Sequence, residues 1–165
     1  MANYNHVTYF SSIASTLKAI KNQGAGNYFH RISSIGVLDG FIAESLYAKG
    51  YHLIVFDSER GAYADARSDN HRVHRFFHFL VIGHVSDKFG DDTVRDACKA
   101  IGDKIIGKML KDRREYLNNM HLLKIDSIKY EQVGPLGSGW FGLDYSFLVN
   151  DERPDNSIYN EADWI

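Results

Sequence analysis

The sequence feature that most restricts the fold is a long amphipathic stretch that begins at Asp91 or Asp92 and runs for about 26 residues. Its apolar side chains recur at steps of three and four residues: Val94, Ala97, Cys98, Ile101, Ile105, Met109, Tyr116 and Leu117. Charged side chains take the other face: Arg95, Lys99, Asp103, Lys104, Lys108, Lys111 and Asp112. This spacing predicts a helix on the order of 39 Å long with one buried stripe. Such a stripe has to be covered by a second layer, so the chain is predicted to build a layered domain.

Alternation with a period of two predicts strands on both sides of this helix. Before it, one predicted strand face carries Val73, Arg75, Phe77, Phe79, Val81 and Val85, and the other carries His74, Phe76, His78, Leu80, Ile82 and His84. After it, residues 125–133 and 141–149 flank the Gly- and Pro-rich segment 134–139, a pattern typical of a hairpin with one buried face.

The remaining elements complete an α-β-α-β-β-α-β-β order. An amphipathic helix is predicted over residues 7–20, a short strand over 28–32, a short helix from Asp39 and a strand over 51–56. The order predicts an α+β domain: an antiparallel sheet of about four to five strands, with the long helix and the N-terminal helix packed on it. We assign residues 1–150 to this single domain and residues 151–165 to an acidic C-terminal arm.

The charge distribution supports that division. The chain of 165 residues has a formal net charge of −2, from 19 Lys and Arg against 21 Asp and Glu. The body holds 18 of the basic and 16 of the acidic residues, whereas the arm sets Arg153 against five acidic residues. This balance excludes a protein that coats nucleic acid by bulk attraction. The single Cys98 excludes an intrachain disulfide, and we expect no secretory signal and no transmembrane helix.

A long polar segment, residues 58–70, separates two predicted strands, and basic side chains cluster in it and after it. These candidates for contact with a DNA backbone are Arg60, Arg67, Arg72 and Arg75. On a single monomer these four arginines do not predict a DNA-binding surface. Repeated around a ring, they would line a channel and touch DNA weakly and without sequence preference. Tyr63, in the same segment, is a candidate for contact with a neighbouring subunit.

Catalytic and metal-binding patterns are weak. His71, His74, His78 and His84 are typical of half-exposed positions on a strand, where His74 and His78 are about 13 Å apart and cannot share one zinc ion. Asp57 and Glu59 end a strand in a pattern that Mg²⁺-dependent nucleases use, but no E-x-K follows on a strand. Nucleophile and phosphate-binding motifs are absent from the sequence. We therefore predict no catalytic residues, no metal site and no cofactor.

The acidic arm contains four large apolar residues among its charges: Ile158, Tyr159, Trp164 and Ile165. A purely disordered tail does not require such anchors. The arm is predicted either to fold onto a neighbouring subunit or to dock on its own domain, and the sequence leaves both open.

Element order and three segments give a family resemblance. The three segments that carry the resemblance are HRFFHFLVIGHVSD, the long helix and KYEQVGPLGSGWFGLDYSFLVND. Over about residues 7–150, the chain resembles the tail terminator and tail-completion proteins of tailed bacteriophages. It is also similar to the related ring proteins below the portal, including those of crAss-like phages.

The resemblance implies a virion structural protein that does no chemistry. It implies a homo-oligomeric ring of six or twelve subunits, assembled in the host cytoplasm, that joins portal or head to tail around the DNA channel. Its partners would be portal, connector or tail proteins, with no membrane. Two alternatives stay open: a small metal-dependent nuclease or hydrolase that uses Asp57, Glu59 and nearby histidines, and an adaptor that binds a partner protein through its aromatic faces.

Overall fold

The structure is a computed structural model that describes residues 4–46, 49–57, 60–64, 72–86, 89–137 and 139–151. Its helices are α1 (His6–Thr16), α2 (Lys18–Lys21), α3 (Leu38–Ser45) and α4 (Asp91–Arg114), with single 3₁₀ turns at Ile35–Val37 and Met120–Leu122. Its strands are β1 (Phe29–Ile32), β2 (Tyr51–Phe56), β3 (Arg60–Ala64), β4 (Arg72–His84), β5 (Leu123–Leu136) and β6 (Trp140–Asp151). In the described part of the chain, no helix has the length and apolar character needed to cross a membrane.

The strands form one sheet in the order β1-β2-β4-β6-β5, and β3 pairs with the first half of β4. The predicted α+β class, the long helix and the N-terminal helix are confirmed. Within the described ranges the sheet has six strands rather than four to five, and it is mixed because β1 and β2 run parallel. The reason is the connection: α3 lies between β1 and β2, and a crossover helix returns the chain in the same direction.

The extra strand, β3, lies inside the segment predicted to be a long loop. Residues 60–64 pair through the backbone with residues 72–76 of β4. The sequence RGAYA has no apolar alternation, so the periodicity used to predict strands does not detect it.

Both faces of the sheet carry apolar cores. On one face, which we call the α1/α4 face, Phe77, Phe79 and Val81 of β4 join a cluster with buried residues of α1 and α4. On the opposite face, the α3 face, Leu80 and Ile82 pack in a second cluster with Ile42 of α3 and Trp140 of β6. The predicted alternation of β4 is thus confirmed, and both faces are covered along its second half, whereas Phe76 in the first half is 40% exposed.

Two features of α4 differ from the prediction. The helix ends at Arg114, so Tyr116 and Leu117 lie beyond it and are exposed. Asp112, predicted on the charged face, is fully buried. It accepts a hydrogen bond from the Tyr9 hydroxyl of α1 at 2.9 Å and also pairs with Lys108. The predicted buried stripe is otherwise confirmed at Val94, Cys98, Ile101, Ile105 and Met109.

Candidate functional site

The predicted DNA-contacting arginines do not form one patch. Arg60 is exposed on β3 opposite Phe76, and Arg75 lies on β4 opposite Gly61, so these two arginines point to opposite faces of the sheet. Arg72 begins β4 opposite Ala64. The Arg72 side chain and the whole of Arg67 lie outside the described residues.

Arg75 instead belongs to a polar cleft of about 190 Å³ on the α1/α4 face, where β1 and β2 end and α1 begins. We define the polar cleft by five of its lining residues: Tyr4, His6, Arg31, Asp57 and Arg75. The Arg31 guanidinium forms an ion pair with the Asp57 carboxylate, and Nη1 of Arg75 donates to the Tyr4 carbonyl at 3.2 Å. The cleft thus brings together Arg75, a predicted DNA contact, and Asp57, a residue of the alternative nuclease hypothesis.

His6 lines the polar cleft, and its ring makes two hydrogen bonds. Its Nε2 lies 2.9 Å from the His78 carbonyl, which can only accept, so Nε2 carries the proton. Its Nδ1 lies 3.3 Å from the Tyr4 hydroxyl and accepts from it in the neutral ring. The pKa of His6 is lowered to about 4, chiefly because the ring is buried. The hydrogen bond to the His78 carbonyl and the attraction of Asp57 oppose this shift, whereas the nearby His78 ring and Arg75 add to it.

Acid is expected to destabilise the fold through this group. The unfolded chain takes up a proton on His6 below its ordinary pKa of 6.5, whereas the folded chain does so only near pH 4. The contribution of neutral His6 to the free energy of unfolding is therefore fully present above pH 6.5 and is lost as the pH falls toward 4. The loss at pH 4.5 is about 2 kcal/mol from His6 alone. His30 adds to it, because burial and the neighbouring His52 lower the pKa of His30 to about 4.

Unfolding by guanidinium chloride at several pH values between 7 and 4.5 measures how the free energy of unfolding depends on pH. His6→Gln keeps a donor for the His78 carbonyl but does not titrate, so the pH slope should flatten. His121→Gln is the matched control, because His121 is exposed and should leave the slope as in the wild type. Equal slopes for His6→Gln and the wild type would contradict the assignment.

The other histidines of the predicted cluster separate along β4. His78 Nδ1 lies 3.3 Å from the buried carboxylate of Asp144, and the His84 ring packs edge-on against Trp140 at 5.1 Å between centroids. His74 lies opposite Asn150 of β6, and His71 lies outside the described residues. Within the described ranges, no group of three or more His, Cys, Asp or Glu side chains is placed to hold a metal ion.

The nuclease hypothesis depended on Asp57 and Glu59. Asp57 follows β2, as predicted, but its carboxylate is engaged by Arg31. Glu59 lies outside the described residues. Asp144, which the sequence patterns did not indicate, is a carboxylate buried on β6, and its Oδ1 has no hydrogen-bond partner among the described residues. The alternation of β6 places Asp144 on the face opposite Tyr145, but nothing in the pattern indicates that it is buried.

A second concave surface lies beside the C-terminal end of α4. This surface, which we call the β5 groove, has a volume of about 560 Å³ and is lined by Arg113, His121, Leu122, Leu123, Lys124, Ile125, Asp126 and Asn150. It opens where the β5–β6 register shifts between Lys124 and Lys129. The groove is not predictable from the sequence patterns, because a register shift leaves no periodic signal.

The predicted subunit contacts are mostly outside the described residues. Tyr63 lies on β3 opposite Val73, and only its backbone position is described. Ile158, Tyr159, Trp164 and Ile165 all lie outside the described ranges.

Comparison of the chain with protein-family models, with curated proteins and with solved structures found no match. The likeness to tail terminators therefore stays a prediction from element order and sequence segments.

Proposed function

We propose that this chain is a structural subunit of a homo-oligomeric ring in a tailed-phage virion, of the tail terminator or head–tail connector type. The ring would contain six or twelve copies, assemble in the host cytoplasm and join portal or head to tail around the DNA channel. Its partners would be the neighbouring portal, connector or tail proteins, and the subunit would do no chemistry.

The observation that carries this proposal is the pair of open sheet edges. Among the described strands, β1 pairs only with β2, β3 only with β4 and β5 only with β6. The sheet therefore ends in β5 on one side and in β1 and β3 on the other, so its two sides present different edges. An edge strand presents free N–H and C=O groups that another chain can pair with. Contact between two different edges is heterologous, and a heterologous contact closes into a ring when its rotation fits.

The β5 edge is the better developed of the two. β5 has 14 residues, against four in β1, and Tyr130 in its middle is 55% exposed. The Tyr130 ring packs beside Tyr145 at 5.8 Å between centroids, so its position is fixed while much of its surface faces outward. An exposed aromatic ring on an edge strand suits an interface, because aromatic side chains supply much of the energy of protein contacts.

The proposal gives the basic residues a modest role. Arg60 is exposed, but the lysines and arginines of α4 mostly face carboxylates one turn away, as in Arg95 with Asp91 and Lys99 with Asp103. A ring built from such a surface would hold DNA weakly. This is suited to a channel through which DNA must pass.

Light scattering on size-exclusion fractions, followed by negative-stain imaging, tests the ring. We expect rings of six or twelve subunits in the wild type and their loss in Tyr130→Glu, because a carboxylate on the edge opposes strand pairing. Tyr116→Glu is the matched control: Tyr116 is 76% exposed but lies past the end of α4, off the sheet, and its rings should persist.

A strict monomer at high concentration that also fails to bind a portal or tail partner would argue against the ring. Equal loss of rings in both tyrosine variants would argue against the β5 edge as the contact between subunits.

A further inference from the structure

The β5 groove has the chemistry of a peptide-binding surface. Leu122 and Ile125 supply apolar surface, and Ile125 is among the exposed large hydrophobic side chains of the described residues. Tyr116 extends the apolar rim, because its ring stacks on His121 at 5.6 Å between centroids. The groove is therefore a partly apolar concavity that opens to solvent.

Its charge is predominantly positive. Arg113 and Lys124 both line the groove, against the single carboxylate of Asp126. Arg113 Nε donates to the Leu123 carbonyl at 2.9 Å, which fixes the guanidinium at the start of β5. Lys124 approaches Asp126 only to 3.9 Å, and both side chains are largely exposed. A segment that combines apolar and acidic residues would complement this surface.

One buried polar atom in the groove lacks a hydrogen-bond partner. The side-chain oxygen of Asn150 is buried and receives no hydrogen bond among the described residues. Buried amide oxygens nearly always have a donor, so this position suits a backbone N–H from an added segment.

We propose that the β5 groove is the docking site of residues 152–165, the part of this chain's acidic arm that follows β6. Residue 152 comes directly after Asp151, the last residue of β6, and two positions after the groove-lining Asn150 in the sequence. This segment is acidic, because its one basic residue, Arg153, is outnumbered by Glu152, Asp155, Glu161 and Asp163. It also contains four large apolar residues: Ile158, Tyr159, Trp164 and Ile165. Both its charge and its apolar content match the groove.

Docking on the same chain is favoured over docking on a second copy because the arm is tethered at the groove. A short tether gives an effective concentration in the millimolar range, well above the concentration of free chains in a dilute sample. The proposal is independent of the ring: it concerns a monomer, and failure to form rings leaves it unaffected.

Acrylamide quenching of Trp164 fluorescence in the full chain is the test. The chain has two tryptophans, and Trp140→Phe leaves Trp164 as the only reporter. We expect Trp164 to be quenched several-fold less than in a free peptide of residues 152–165, at low micromolar concentration and independently of dilution. Lys124→Glu should lower the ratio of docked to free arm by about threefold, as expected for the loss of a surface charge contact.

Lys129→Glu is the matched control, since Lys129 is an exposed lysine on the same strand, outside the lining of the groove. Quenching of Trp164 as strong as in the free peptide would overturn the proposal. So would protection that appears only as the protein concentration rises, which would indicate a second copy. Equal effects of Lys124→Glu and Lys129→Glu would show that the groove is not the site.

Discussion

Lys108→Met is expected to lower the free energy of unfolding by about 3 kcal/mol, the scale on which breaking a buried ion pair destabilises a protein. Asp112 is 0% exposed, and its carboxylate contacts the Lys108 ammonium, whose side chain is 45% exposed. Its other contact is the Tyr9 hydroxyl of α1. Without the lysine, the buried charge keeps one neutral hydrogen bond from the described side chains, that of Tyr9, so its burial is no longer compensated.

The double variant Lys108→Met with Asp112→Asn separates charge from packing. The asparagine oxygen can still accept from Tyr9 while the buried charge is gone, so most of the lost stability should return. Lys111→Met is the matched control: Lys111 pairs with the exposed Glu115 at 3.9 Å, and its loss should cost less than 1 kcal/mol. Chemical unfolding of the four proteins decides the question. A cost for Lys108→Met no larger than that for Lys111→Met would contradict the account.

Asp112 also shows where the sequence misleads. An acidic residue in the last turn of a helix opposes the helix dipole, and a lysine four residues before it is in the less favourable order. The helical pattern places Asp112 among charged, solvent-facing neighbours. Its burial depends on Tyr9, 103 residues away in the sequence, so no local pattern could reveal it.

Elements whose apolar side chains repeat with a regular period were predictable from the sequence. Features that depend on backbone pairing with a distant strand were not. The thirteen residues of β4 and the stripe of α4 repeat long enough for one face to be identified from the sequence. The parallel pairing of β1 follows from the path of α3, and β3 follows from the backbone of β4. Both depend on partners distant in the chain rather than on their own side chains.

The candidate sites follow the same division. The sequence identified Arg75 and Asp57 as functional candidates, but not that both line the polar cleft with His6. The β5 groove was missed because it arises from a register shift between two strands. Concave surfaces of this kind are made by tertiary packing, which periodicity does not report.

Gly102→Ala is expected to lower the free energy of unfolding by about 3 kcal/mol, the upper part of the usual cost of overpacking a core. Gly102 is buried in the middle of α4, and a methyl group there would lie 2.1 Å from the Tyr145 hydroxyl oxygen and 2.2–2.4 Å from its ring carbons. The ring cannot easily yield, because it stacks on Phe79 with a centroid distance of 4.8 Å and an interplanar angle of 1°. Either α4 moves away from the sheet or this stack is broken.

Gly107→Ala is the matched control on the same helix. Apart from its chain neighbours and the backbone of its own helix, a methyl group at Gly107 meets no atom of the described residues within 4 Å. Only the helix propensity changes, and it favours alanine by about 1 kcal/mol. The two substitutions are chemically identical and should shift thermal unfolding in opposite directions. Tyr145→Leu in the Gly102→Ala background removes the obstructing ring, so adding Gly102→Ala there should cost much less than in the wild type. If Gly102→Ala is as stabilising as Gly107→Ala, α4 does not approach β6 at this glycine, and the packing of the α1/α4 face described above is wrong.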